Sequence, residues 1–282
     1  MLVDSHCHLD FPVLAADRDA LIARARAAGV GTMLTIGTKL SAFEGVRAVA
    51  AAYDGIYCSV GIHPHEAEAE PDVQAAQLLG FAGDPKVVAF GETGLDYYYE
   101  HAPREAQKAN FRAHIEAARS AGLPVIVHTR DADEDTEALL TQEMGKGAFT
   151  GVLHCFTSGE RLARAAVDLG FYISFSGILT FKKTEALQAI ARELPHQPHA
   201  VDLRQAQVDE DDVDRLALAG DALERLAAVG RVEDGAHGDA AQQAHGRTPL
   251  EGIVLHDQHA QRVERSGGKG HGAGVCAVPR LV

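Results

Sequence analysis

Along the first 195 residues, short apolar runs alternate with longer stretches in which apolar positions recur at helical spacing. The runs predict strands over residues 2–8, 32–36, 56–62, 87–92, 125–128, 152–156 and 171–176. The stretches between them predict helices over residues such as 19–28, 103–121, 160–169 and 184–193. Seven strand-then-helix units of roughly 25 residues imply a parallel sheet. An open doubly wound sheet and a closed (β/α)8 barrel both fit that alternation.

The polar residues separate the two. Asp4, His6 and His8, His63 and His65, Glu92 and Asp96, His128 and Arg130, and His154 all fall at the downstream ends of predicted strands. In a (β/α)8 barrel those ends converge on one face, where a site is assembled from several strands at once. Strand ends feeding one cluster favour the α/β class with a (β/α)8 TIM-type barrel.

In the first strand a period of two puts His6 and His8 on one face and turns Cys7 to the other. Two imidazoles whose Cα atoms are about 6 to 7 Å apart can converge on one cation. His128 closes the run Val125-Ile126-Val127, His154 closes Gly151-Val152-Leu153, and Glu92 follows Val87-Val88-Ala89-Phe90. A lone histidine so placed reads as a core residue satisfied by its neighbours. Four imidazoles and a carboxylate in the same kind of place point instead to a shared divalent-metal site. Imidazole with carboxylate suits Zn²⁺, Mn²⁺, Fe²⁺ or Ni²⁺, and Mg²⁺ enters mainly through the oxygen ligand and water. Five ligands exceed what a tetrahedral structural zinc takes, and a carboxylate can bridge two ions. Two ions about 3.5 to 4 Å apart activate water and stabilise both oxygens of a phosphoryl displacement, so hydrolysis is the expected reaction class.

Composition narrows the partners. The 26 Lys+Arg against 40 Asp+Glu give a formal charge of −14, which offers no basic footprint for holding duplex nucleic acid nonspecifically. A phosphate-bearing substrate must then be held by local groups or metal ions. At 46% hydrophobic and 23% charged, the chain is neither collagen-like, coiled-coil nor wholly disordered. No apolar run reaches the roughly 18 to 20 residues that span a bilayer, and the N-terminus lacks a signal-peptide layout, so a cytoplasmic protein without membrane contact is expected. Cysteines at 7, 58, 155 and 276 form no CxxC pair, and reduced thiols are expected. No GxxxxGK[ST], GxGxxG or Gly-x-Ser-x-Gly sequence occurs, which leaves triphosphate, dinucleotide and serine-elbow chemistry without support.

The last 101 residues differ sharply, because all 10 Phe and 6 Tyr lie between Phe11 and Phe181. From His196 onward the chain has 9 Lys+Arg, 14 Asp+Glu and 7 His, with Ala, Gly, Gln and Asp dominant. Such a tail buries little apolar surface per residue and is expected to be partly disordered, with one amphipathic helix marked by Val213, Leu216, Leu223 and Leu226. The expected division is a barrel over residues 1–195 and an atypical tail over 196–282.

Asp4-Ser5-His6-Cys7-His8-Leu9-Asp10, Gly61-Ile62-His63-Pro64-His65, Gly91-Glu92-Thr93-Gly94-Leu95-Asp96-Tyr97-Tyr98, His128-Thr129-Arg130 and His154-Cys155-Phe156-Thr157-Ser158-Gly159 together resemble the TatD family of metal-dependent deoxyribonucleases, among the amidohydrolase-like metallohydrolase barrels. The resemblance covers residues 1 to about 195. It implies that His6 and His8 hold one divalent ion, that His128 and His154 hold another, and that Glu92 bridges them, with Mg²⁺, Mn²⁺ or Zn²⁺ as the metals. It further implies that His63, His65 and Arg130 meet the substrate phosphate. Family members act on DNA, often as 3′-to-5′ exonucleases, and some accept RNA. A phosphodiesterase with a DNA substrate, single-stranded or not, or an RNA substrate is therefore implied, with no oligomeric state. Asp96 and Tyr97 read as loop-packing residues, and Asp4 and Asp10 as carboxylates that orient ligating histidines or as turn residues.

The resemblance stops near Leu194-Pro195. Family members continue into an eighth strand ending in Glu-Thr-Asp-x-Pro, whose Asp completes the first metal site, and no Thr-Asp-x-Pro occurs downstream here. A coding frame shifted near residue 195 explains both that and the loss of aromatics. Residues 200–202 and 252–257 are the candidate replacements. Two other readings stand beside the nuclease: an amide or ester hydrolase, for which Lys39, Lys86, Lys108 and Lys146 fall away from the strand ends, and a metal-binding product without turnover owing to the missing Asp.

Overall fold

Every predicted strand is present, and all pair in chain order. The computed structural model describes residues 2–194, in which β1 (Leu2–Cys7), β2 (Val30–Thr35), β3 (Ile56–Val60), β4 (Val87–Asp96), β5 (Val125–Arg130), β6 (Gly151–Leu153) and β7 (Tyr172–Ile173) form one sheet of seven strands. Each neighbouring pair is parallel. Parallel pairing needs a crossover between strands, and helices α1 (Arg18–Ala27), α2 (Phe43–Ala52), α3 (Ala75–Leu79), α4 (Arg104–Ala121), α5 (Asp133–Met144) and α6 (Glu160–Asp168) supply it, with α7 (Glu185–Glu193) after β7.

The sheet is curled. Neighbouring strands lie about 4.8 Å apart, so β1 and β6 would stand about 24 Å apart if it were flat. Instead the His6 ring, on β1, stacks on the His154 ring, just past β6, with centroids 4.0 Å apart. Curvature of this degree is that of a TIM-type barrel wall, and it brings the downstream strand ends to one mouth. Ile126 shares strand parity with His128, as Val152 does with His154. The apolar cluster of Leu34, Ile36, Ala89 and Ile126, with Tyr57, Val88 and Val152 against it, therefore lines the barrel interior below the polar mouth. The larger core lies between sheet and helices and includes the fully buried Phe43, Phe90, Phe111, Phe156, Phe171 and Phe175.

Strand lengths depart from the sequence reading at the site. β4 and β5 run on to Asp96 and Arg130, which pair with each other. β6 is cut short where Cys155 takes a φ of +45°, outside the extended region. β7 keeps two residues because it pairs only with β6 among the described residues. The expected gap at the eighth strand, the helix around Val213–Leu226, segments 200–202 and 252–257, the tail histidines and Cys276 lie outside the described residues. Within them, Cys7, Cys58 and Cys155 are thiols rather than disulfides, and no helix is long and apolar enough to cross a membrane.

Candidate metal centre

Glu92 sits where β4 is irregular. Phe90 pairs with Val125 and Thr93 with Val127, so β4 spends three steps against two on β5. The extra residue is a β-bulge, which re-aims a side chain. Glycines flank it: Gly91 and Gly94 have φ of +130° and +132°. A Cβ on Gly91 would lie 2.6 Å from the Ile126 carbonyl oxygen, and one on Gly94 2.0 Å from that of His128. Only glycine allows this backbone contact. The Glu92 backbone N–H donates to the Gly37 carbonyl at 2.9 Å, pinning the bulge to the end of β2.

Four imidazoles gather on the Glu92 carboxylate, which is 3% exposed. His128 Nδ1 lies 3.1 Å from Oε1, His154 Nε2 makes a short contact with the same oxygen, His63 Nε2 is 3.6 Å from it, and His6 Nε2 is 3.4 Å from Oε2. His8, just beyond β1, places its ring 5.3 Å from that of His6, while the Cys7 thiol between them donates to the Leu34 carbonyl at 3.3 Å. Two donor sets result, His6–His8–Glu92 and His63–Glu92–His128, each with ligand atoms within 4.8 Å of one another.

The protonation states suit a cation. Burial, with His154 nearby, pushes His6 down to about 3, and burial likewise lowers His8 and His63. These rings are neutral at pH 7 and keep a lone pair. Burial alone would raise the Glu92 carboxyl, but the imidazoles of His154, His63 and His6 hold it well below the usual carboxylate range. Neutral imidazoles around an ionised carboxylate are the donor set of a divalent-metal site.

Asp96, one of the polar residues at the predicted strand ends though read as loop packing, lies against two of the imidazoles. It is the buried last residue of β4, and its Oδ2 lies 2.8 Å from His65 Nε2 and 3.1 Å from His128 Nε2. Burial opposes charge on His128, but hydrogen bonds to Asp96 and Glu92 raise it to about 9. Asp4 accepts the His6 backbone N–H at 3.1 Å, and Asp10 accepts from the Thr35 hydroxyl at 3.4 Å, with its pKa raised mainly by burial although His8 draws it down. Arg130, half-buried, sets its guanidinium 4.0 Å from the Tyr98 ring centroid and 4.8 Å from that of Tyr99.

Helix α4 carries a second group the sequence reading missed. Gln107, Asn110 and His114 fall on its buried face at i, i+3 and i+7 and grip site backbone rather than other side chains. Gln107 accepts the Asp96 N–H at 2.8 Å and donates to the Asp96 carbonyl at 3.2 Å. Asn110 donates to the Ile62 carbonyl at 2.9 Å, and His114 Nε2 accepts the Ile62 N–H at 3.1 Å. The signal lay in the sequence, as polar residues on the otherwise apolar stripe of a long helix.

Comparisons with known proteins give the family. The model of the TatD related DNase family matches residues 3–198. The chain belongs to that family. Among TatD relatives, the metal-dependent hydrolase YcfH of Escherichia coli K12 is 40% identical over 246 residues, covering 81% of this chain and 92% of YcfH. The 3′-5′ ssDNA/RNA exonuclease TatD of Cronobacter sakazakii is 42% identical over 163 residues, covering 57% of this chain and 61% of its own. The crystal structure of YJJV, a TatD homologue from E. coli K12, superposes with a TM-score of 0.66 at 26% identity, covering 81% of this chain and 94% of that one. The protein is thus a metal-dependent hydrolase of the TatD family on a TIM-type barrel. Of the residues the TatD resemblance singled out, His6, His8, Glu92, His128 and His154 meet directly. His63 stands closer to Glu92 than its expected place beside the substrate, and His65 reaches the cluster through Asp96.

Proposed function

We propose that the protein is a two-metal phosphodiesterase that shortens single-stranded DNA or RNA from its 3′ end. The observation that carries this is Glu92, one ionised carboxylate among imidazoles drawn from β1, β5 and the ends of β3 and β6. His6 and His8 would hold one divalent ion and His128 and His154 the other, with Glu92 shared and Mg²⁺, Mn²⁺ or Zn²⁺ as the metals. When bound, such ions supply a water acidic enough to lose its proton near neutral pH and positive charge for the phosphoryl oxygens. The hydrolase unit spans residues 1–195, with 196–282 a separate tail.

The chain's own groups do the rest. His63 Nδ1 accepts the His65 backbone N–H at 3.2 Å, so the neutral ring keeps its proton on Nε2. That tautomer makes His63 a hydrogen-bond donor, suited to a phosphate oxygen more than to a cation despite its nearness to Glu92. His65, steadied by Asp96, and Arg130, which has no carboxylate within ion-pair distance among the described residues, join it in facing an anion. Similarity to a relative that degrades ssDNA and RNA supports the polymer class. The amide-hydrolase reading needs a lysine free to be carboxylated. Of the lysines weighed for it, Lys39 pairs with Glu66, Lys86 with the Tyr53 and Ile56 carbonyls, Lys108 with Asp135 and Lys146 with Glu143, while Lys182 and Lys183 stand exposed in the segment before α7, away from the strand ends.

The test is a 5′-labelled single-stranded oligonucleotide in Mg²⁺ or Mn²⁺, with metal binding followed by calorimetry. Stepwise shortening that disappears in Glu92→Ala is expected. Full metal binding without shortening, or equal shortening by Glu92→Ala, overturns the proposal.

A further inference from the structure

From the rim beside the cluster we infer that Tyr98, backed by Arg130, is a stacking ledge for one unpaired nucleobase of the substrate strand. This rests on the phosphodiesterase reading and adds to it the residue that selects single strands. Asp96 ties ledge to centre. While its Oδ2 holds His65 and His128, its Oδ1 accepts the backbone N–H groups of Tyr98 and Tyr99 at 3.0 and 2.9 Å. One buried carboxylate therefore fixes both the imidazoles of the mouth and the turn that presents the two tyrosines. The turn is braced from below, where the Tyr97 hydroxyl donates to Asp135 at 2.6 Å and the Arg104 guanidinium covers the Tyr97 ring at 4.1 Å.

Above this support the two tyrosines differ. The Tyr99 ring is half-buried, stacked on His101 at 5.5 Å and edge-on to His65 at 5.4 Å. Tyr98 is 57% exposed, although its ring meets Tyr99 edge-on at 4.8 Å and Arg130 at 4.0 Å. A large apolar ring left open to water beside a polar mouth calls for a ligand with a flat apolar face. Arg130, without a carboxylate partner among the described residues and in a chain of net charge −14, calls for an anion in the same place. A nucleotide offers both, its base to the ring and its phosphate to the guanidinium. A base inside a duplex has both faces covered by its neighbours, so the ledge is closed to the duplex interior and open to the bases of a single strand.

The experiment uses the full chain and two single-stranded oligonucleotides, one with 2-aminopurine at its 3′ end and one with an abasic sugar there. Cleavage is measured in Mg²⁺, and 2-aminopurine quenching is measured with a non-hydrolysable terminal linkage. The wild type should show a KM about tenfold lower for the base-bearing strand and quench its fluorescence. Tyr98→Ala should bring the two KM values together, with kcat changing less than KM, and lose the quenching; Tyr98→Phe should restore both. A Tyr98→Ala variant that keeps the preference and the quenching overturns the ledge, as does an equal rise in KM for both strands. Quenching that depends on Tyr98 in a wild type that cleaves nothing keeps the ledge and rejects the phosphodiesterase reading. Cleavage whose base preference ignores Tyr98 does the reverse, and a wild type that neither binds nor cleaves rejects both.

Discussion

Asp96 and His128 share a hydrogen bond, Oδ2 to Nε2 at 3.1 Å, while the other nitrogen of the same ring lies 3.1 Å from Glu92. The imidazole is thus strung between two carboxylates. A carboxylate behind a histidine fixes the ring's orientation and makes its forward nitrogen a better ligand. The arrangement exists because β4 and β5 stay paired to Asp96 and Arg130, past residues 92 and 128, where the apolar runs end in sequence.

Asp96→Asn should therefore weaken metal binding without removing a ligand. The amide is almost the same size but carries no charge, and its –NH₂ cannot accept from His128. Loss of such a partner typically costs about 10–100-fold in metal affinity. Competition against a chelating dye measures it, and an affinity within twofold of wild type would show that Asp96 only packs the turn.

The pH behaviour of His128 has a definite sign. Its pKa in the metal-free fold, raised to about 9 from 6.5, leaves the ring protonated at pH 7. The stability it contributes is fully present below pH 6.5 and lost as pH rises through about 9. A metal ligand must shed that proton, so metal uptake at pH 7 should release one and tighten as pH rises toward 9. Calorimetry in two buffers of different ionisation enthalpy counts the proton. His128→Gln should lose the release, and a wild type that binds metal with no proton released would contradict the double hydrogen bond.

The sequence pattern already contained the seven strands, their parallel order and the meeting of His6, His8, Glu92, His128 and His154, because each is a short-range signal: an apolar run with a polar residue at its end. Asp96 and His114 were not legible in the same way. Asp96 counts among the strand-end polar residues in sequence, but its stretch, rich in glycine and tyrosine, reads as a loop, and only pairing with β5, roughly 34 residues on, makes it strand and sets it against His65 and His128. The grip of Gln107, Asn110 and His114 on backbone is a tertiary fact, since the carbonyls and N–H groups they hold leave no mark on sequence. The tautomer of His63 likewise depends on one backbone N–H in the turn that follows it.

Gly94→Ala tests the close approach that the bulge requires. The new Cβ would lie 2.0 Å from the His128 carbonyl oxygen at a φ of +132°, and backbone on both sides leaves no flexible atom to yield. The expected loss is about 3 kcal/mol, at the upper end of overpacking costs, read as a lower denaturation midpoint. Gly83→Ala is the control, since nothing lies within 4 Å of its added Cβ. Equal effects of the two substitutions would refute the role given to Gly94.

The two clamps on Ile62 should behave as one unit. Asn110→Leu leaves the buried Ile62 carbonyl without its donor, and His114→Ala leaves the Ile62 N–H without its acceptor. Each loss costs about 1–3 kcal/mol. Burial holds His114 down to about 4, so the ring stays neutral and keeps accepting through the physiological range, with Nδ1 donating to the Asn110 carbonyl at 2.8 Å. Once one side chain has released Ile62, the peptide can shift and the second has less left to hold. The double variant should then be less destabilised than the sum of the singles by at least about 0.5 kcal/mol. Because His63 follows Ile62 directly, each single variant should also raise KM for an oligonucleotide more than it lowers kcat. Denaturant titrations of the four proteins give the coupling, and strict additivity with unchanged KM would reduce Asn110 and His114 to independent core residues.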